Sequence, residues 1–278
     1  MAFPNLISVD ELAQNLDHPD WRVLDGTWFL PGSTEDARQR HREERIPGAR
    51  WFDFDGALAD PDSSLPHMLP TPEQFALELG KLGLKPEHKV VVYDRHGLFS
   101  APRVWWMLKA FGHQAVAVLN GGLPAWREAD YPLEQGAAAA MEASHYPVPA
   151  MPGQVIDAET LHQQLVAGEI WLLDARAPGR FAGAEPEPRP GVRPGHMPGA
   201  VNLPFGQLLD QGKLRPVAEL KARFAAVADG SKPWVFSCGS GVTACVLALA
   251  ASEAGHHQWR VYDGSWAEWG ADPALPLA

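Results

Sequence analysis

The two halves of this chain carry the same short runs in the same order, and any fold must accommodate that duplication. Val23-Leu24-Asp25 matches Leu172-Leu173-Asp174, and Ile46-Pro47-Gly48-Ala49 matches Met197-Pro198-Gly199-Ala200, both pairs about 150 residues apart. Further along, Val91-Val92-Tyr93-Asp94 corresponds to Val235-Phe236-Ser237-Cys238, Gly112-His113 to Gly255-His256, and Asn120-Gly121 with Trp126 to Asp263-Gly264 with Trp269. A chain of 278 residues has the length for two domains, each able to bury most of its apolar surface. Residues 135–152 hold four consecutive alanines, three prolines and no usable hydrophobic period, so they read as a linker between domains at 5–134 and 153–278.

Short apolar runs at 171–173, 234–236 and 260–262 alternate with helical stretches at 160–166, 217–226 and 242–254. Uninterrupted apolar strands alternating with helices imply a parallel sheet covered on both faces, so the fold class is α/β. Ligands of such sheets bind beyond the carboxyl ends of the strands. Cys238 falls there, directly after 234–237 and before the helix expected to open near Val242.

Composition removes several function classes. The 23 Lys and Arg stand against 34 Asp and Glu, giving a net charge of -11, which argues against a nucleic-acid surface. No apolar run is long enough to span a bilayer, and the first residues lack the basic start and apolar stretch of a secretory signal. The expected location is the cytoplasm. Cys238 and Cys245 are the only cysteines, which is neither a disulfide framework nor a zinc set; no metal or organic cofactor is expected.

Chemistry concentrates at Cys238-Gly239-Ser240-Gly241-Val242-Thr243. A free cysteine, with a pKa near ~8.5, is mostly protonated at neutral pH, so a nucleophilic cysteine needs surroundings that favour the anion. Gly239 and Gly241 let the backbone curl so that N–H groups point inward, and the following helix adds its positive end. Ser240 and Thr243 can donate hydroxyl hydrogen bonds to the same space. Cys245, on the apolar face Val242, Cys245, Val246 and Leu249, reads as core. An acidic protein that binds a small anion must gather local cations, and Arg176, Arg180 and Arg189 lie in the second half, interleaved with Glu185 and Glu187.

The loop, extended to Ala244, resembles the active-site loop of 3-mercaptopyruvate sulfurtransferases, a branch of the tandem-domain rhodanese family. Ser100-Ala101-Pro102-Arg103-Val104-Trp105-Trp106 and Tyr262-Asp263-Gly264-Ser265-Trp266 extend the likeness over nearly the whole chain. It implies two tandem rhodanese-like domains, the first non-catalytic with Asp94 at the cysteine position, and an active site between the halves. It further implies that Arg180 and Arg189 hold the carboxylate and carbonyl of a 2-oxo thiol substrate, with Gly239, Gly241, Val242 and Thr243 lining the site. Ser240, with His67 and Asp55 from the first half, would serve as a proton relay; taken alone, those two are an ordinary loop histidine and a turn residue. Where some members carry tyrosine, this chain has Phe99. The implied reaction carries sulfur as a Cys238 persulfide to a small thiol, thioredoxin or cyanide. Thiosulfate, an alternative donor, would favour positive charge within the loop, which has none. A related cysteine phosphatase would need arginine where Ala244 stands, and a non-catalytic binding module would have no need of Cys238.

Overall fold

The computed structural model describes residues 3–139 and 142–278, so Ala140 and Met141 of the expected linker and the first two residues lie outside the described residues. The chain divides into two compact units, one of Met1–Pro61, Leu69–Gly153 and Gln211–Lys213, the other of Asp62–Met68, Gln154–Asp210 and Leu214–Ala278.

The first unit runs β1 (Leu6–Ile7), α1 (Val9–Asn15), β2 (Trp21–Asp25), α2 (Ala37–Glu43), β3 (Arg50–Trp51), α3 (Pro72–Lys81), β4 (Lys89–Tyr93), α4 (Ala101–Ala110), β5 (Val116–Leu119) and α5 (Gly122–Glu128). The second runs β6 (Val155–Ile156), α6 (Ala158–Val166), β7 (Trp171–Asp174), α7 (Pro178–Phe181) and β8 (Val201–Asn202), then a short ribbon of β9 (Leu209–Asp210) and β10 (Lys213–Leu214). It ends with α8 (Val217–Ala225), β11 (Trp234–Ser237), α9 (Ala244–Glu253), β12 (Trp259–Tyr262) and α10 (Ser265–Trp269). The sheet orders are β1-β5-β4-β2-β3 and β6-β12-β11-β7-β8, the same topology twice, with every pairing parallel.

The duplication reaches into both cores. Ile7, Leu12, Val23, Ile46, Val91, Leu119 and Trp126 pack together in the first unit. Their repeat partners Ile156, Leu161, Leu172, Met197, Val235, Tyr262 and Trp269 do so in the second. Full burial of each such side chain contributes roughly 1.5–3 kcal/mol, so a repeated apolar pattern carries a repeated architecture. The helix ends repeat too: Gly112 and Gly255, at φ 87 and 86, terminate α4 and α9 in the left-handed conformation that glycine adopts freely. His113 N–H then reaches back to Leu108 O, as His256 N–H does to Ala251 O.

Two local expectations shift. α9 opens at Ala244 rather than near Val242, because Cys245 and Val246 donate to Val242 and Thr243 in a tight i−3 turn before the helix proper begins. It is also buried on all sides from Ala244 to Ala251, not on one face, since its alanines let neighbours approach where an amphipathic helix would meet water. The segment after residue 141 is tied to the first unit at separate points: Ser144 N–H donates to Gly80 O, and Tyr146 is buried with its hydroxyl 2.9 Å from His113 Nδ1. Isolated anchors of this kind leave no period to read.

Asp94 follows β4 as Cys238 follows β11. It is fully buried, and one oxygen, Oδ2, accepts the N–H groups of Phe99, Ser100 and Ala101 at 2.8, 2.9 and 2.8 Å, while Oδ1 accepts His96 N–H at 2.8 Å. The loop of the first unit thus encloses its own anion at the start of α4. Asp94→Ala strands these amides, and urea unfolding should report destabilisation of roughly 3 kcal/mol or more, with Asp94→Asn losing less.

Burial holds the His113 imidazole below the ordinary histidine range, and His88 likewise. Because the unfolded chain takes up these protons first, stability is complete above about pH 6.5 and falls as pH drops toward the lower folded values. A His113→Gln variant should show a shallower loss of stability between pH 7 and 5 by denaturant titration.

Candidate active site

Cys238 is the first residue beyond β11, 2% exposed. Its backbone is clamped from α10. Cys238 N–H donates to Ser265 Oγ at 3.2 Å, and that hydroxyl donates to Tyr262 O at 2.8 Å. The carbonyls of Cys238 and Gly239 accept N–H bonds from Trp266 and Ala267 at 3.0 and 2.9 Å. In a trans peptide the carbonyl and the next N–H point in opposite directions. Turning those two carbonyls toward α10 therefore turns the N–H groups of Gly239 and Ser240 away from it, into the hollow of the loop. Among the described residues, the amides of Gly239, Ser240, Val242 and Thr243 donate to no backbone carbonyl. Gly241 takes φ 77, so successive amides converge, and its carbonyl accepts the Cys245 thiol at 3.2 Å.

Ser265 is a residue the sequence did not single out. It sits at φ 52, a strained value for a side chain, where its repeat partner Gly122 takes φ 55 with no Cβ. Only the half with the cysteine carries a hydroxyl at this position. Its signal was the Asp263-Gly264-Ser265-Trp266 run, read only as part of the resemblance.

A second group is built around buried charge. Arg176 is bidentate on Asp174, with contacts at 2.7 and 3.0 Å, donates to Gly195 O and lies 4.4 Å over the Trp266 ring. Its Nη1 donates to Glu187 Oε1 at 2.8 Å, while Glu187 Oε2 accepts Arg180 Nε at 3.2 Å and Arg180 Nη2. Glu187 therefore holds Arg180 from a rigid base. Arg180 reaches the loop: a Cβ at Gly239 would lie 2.9 Å from its Nη2, so the guanidinium packs directly on the Gly239 backbone.

The other expected residues are distributed as follows. Ser240 is buried within the loop and Val242 beneath it, while Thr243 is partly exposed at the start of α9. His67 lies in the stretch Asp62–Met68 that groups with the second unit; it is buried, at φ 62, and its Nε2 is 3.3 Å from Arg189 Nη2. A guanidinium can only donate, so this contact makes Nε2 the acceptor and leaves the ring proton on Nδ1. Asp55 belongs to the first unit, where its Oδ2 accepts Trp28 Nε1–H at 2.9 Å and Trp28 stacks on Phe99. His196, outside the expected site, is stacked on Phe181 with Nδ1 2.9 Å from its carbonyl, a structural position. Among the described residues no cluster of three metal-ligating side chains occurs, and no helix is long and apolar enough to cross a membrane.

The rhodanese-like domain family matches this chain twice, over residues 8–129 and 157–272. The human 3-mercaptopyruvate sulfurtransferase is 43% identical over 281 residues, covering 97% of this chain and 94% of its own length. The Arabidopsis thaliana thiosulfate/3-mercaptopyruvate sulfurtransferase 1, a mitochondrial protein, is 41% identical, covering 98% of this chain and 77% of that protein. The crystal structure of SseA from Escherichia coli superposes with a TM-score of 0.85 at 37% identity, covering 95% of this chain and 99% of that one. A duplicated parallel sheet, a cysteine on an amide-lined loop in the second copy alone, and likeness over nearly the full length agree: the chain belongs to the tandem-domain rhodanese family, in the branch of the 3-mercaptopyruvate sulfurtransferases.

Proposed function

We propose that this chain takes sulfur from 3-mercaptopyruvate onto Cys238 as a persulfide, releases pyruvate, and passes the sulfur to a small thiol, reduced thioredoxin or cyanide. The observation that carries this reading is the loop itself, with inward amides around Cys238 and Arg180 packed on Gly239. Such amides stabilise a thiolate and then a persulfide anion in the same place.

The Cys238 thiolate attacks the substrate sulfur, forming an S–S bond as the C–S bond breaks and its electron pair passes to the enolate of pyruvate. The enolate takes up the proton given up by the substrate thiol, becoming pyruvate. Ser240, His67 and Asp55 are the groups we assign to that transfer; a neutral imidazole with Nε2 as acceptor can take a proton and return it. Arg180 and Arg189 would hold the substrate carboxylate and carbonyl, for which the guanidinium fork is suited. In the second half-reaction the acceptor attacks the outer sulfur and Cys238 departs as thiolate. Because Cys238 must be reduced between turnovers, the reaction suits the cytoplasm. Asp94, whose carboxylate fills the corresponding loop, makes the first unit non-catalytic in this scheme.

Cys238→Ser should lose turnover by about a thousandfold or more, together with the cyanide-sensitive gain of one sulfur atom seen by mass spectrometry in the wild type. A Ser variant that still cycles would remove Cys238 from the mechanism.

Residues 239–243 of the loop carry no cation of their own for a dianionic donor. With one acceptor held constant, kcat/KM should be much higher for 3-mercaptopyruvate than for thiosulfate, the second donor in the name of the Arabidopsis relative. A higher value for thiosulfate would reverse the assignment.

A further inference from the structure

For a protein of net charge -11, the first unit contains an unexpected concentration of cations. A cavity of about 420 Å³ is lined by Arg38, Arg42, Arg50 and Lys81, with His41, Trp51, Leu82 and residues 137–139 completing its walls, and among the described residues no acidic side chain lines it. The arrangement follows from helix spacing. Positions 38, 41 and 42 share one face of α2, whereas Arg40, on another face, is paired with Glu35 and Glu43.

Among the described residues the arginines of the cavity have no carboxylate within ion-pair distance. Among the described residues Arg38 makes no side-chain ion pair, and the Arg42 guanidinium donates to the Arg38 carbonyl at 3.5 Å. Arg50 donates from Nη1 to Ala139 O, and its Nε is buried with no acceptor. Nearby carboxylates are already committed: Glu78 to Lys81, Asp25 to His41, and Glu134 to Arg45 and the Gly48 N–H. Burial lowers the pKa of Arg50, and the more distant Glu134, committed to Arg45, offsets only part of that cost. Three guanidinium groups around one hollow repel each other, and an anion carrying more than one charge relieves that repulsion. The cavity is also wider than charge alone requires, within the size range of small-molecule sites, and the Trp51 indole with the alanine wall offers apolar surface for an organic portion.

We propose that this cavity binds a phosphorylated small molecule, with its phosphoryl oxygens on Arg38, Arg42 and Arg50 and its organic part against Trp51. The site is separate from Cys238 and independent of the reaction assigned above.

Isothermal titration of the full chain with inorganic phosphate, pyrophosphate and adenosine diphosphate tests it. Pyrophosphate and adenosine diphosphate should bind at one site per chain, more weakly as salt rises, with adenosine diphosphate the tighter of the two. The exposed pair Arg38→Ser with Arg42→Ser should weaken both by about tenfold or more, while leaving turnover of 3-mercaptopyruvate unchanged. Should the double variant fold poorly, each single variant should weaken binding by a smaller factor. Absence of binding by all three probes at low salt overturns the proposal, as does binding that the arginine variants leave intact. Equal affinity for pyrophosphate and adenosine diphosphate overturns the part given to Trp51.

Discussion

Backbone amides gathered in the loop after the fourth strand of a five-stranded sheet are the constraint on which both units are built. In the first unit they meet an anion, the Asp94 carboxylate, which draws the amides of residues 99–101 onto one oxygen. In the second, the carbonyls of Cys238 and Gly239 are taken up by α10, and peptide geometry sends the neighbouring amides the other way. A carboxylate fills the hollow with its own charge. A thiol is shorter and neutral when protonated, so in the function proposed above the same amides would serve a thiolate and then an outer sulfur. The exchange of Asp94 for Cys238, with Gly122 for Ser265, thus separates a loop filled by its own carboxylate from one that is not.

Around the reactive loop, rigidity comes from charge buried in pairs. Arg176, Asp174 and Glu187 would each be costly to bury alone, but their contacts are mutual and nearly saturated. Glu187 gives one oxygen to Arg176 and the other to Arg180, which converts a structural ion pair into a mount for the guanidinium on Gly239. The same carboxylate that draws charge from Arg180 also fixes its position. Ser265 adds a second restraint, accepting backbone strain to hold the Cys238 amide.

Much of the architecture could be read from the chain because the repeat is written in local chemistry. Gly112 and Gly255 end helices through their own conformational freedom, and apolar residues at matching positions specify matching cores. What resisted reading depended on distant partners. α9 is apolar on every side because sheet and helices surround it, and a segment without a period is anchored by Ser144 and Tyr146 meeting residues far away in sequence. Glu187 stood out only as one of two glutamates interleaved with the arginines, since such a loop does not say which pairs form.

By itself the sequence determined that there are two α/β halves, that one keeps a cysteine directly after a strand, and that glycines follow that cysteine. Those properties are local: strand periodicity, turn chemistry and residue identity need no partner. Tertiary structure alone decided which way the loop amides point, that Arg180 packs on Gly239, and that Arg38 and Arg42 of α2, Arg50 of β3 and Lys81 at the end of α3 line one hollow. Each of these depends on groups brought together across long stretches of chain, where direction and distance, rather than residue type, set the chemistry.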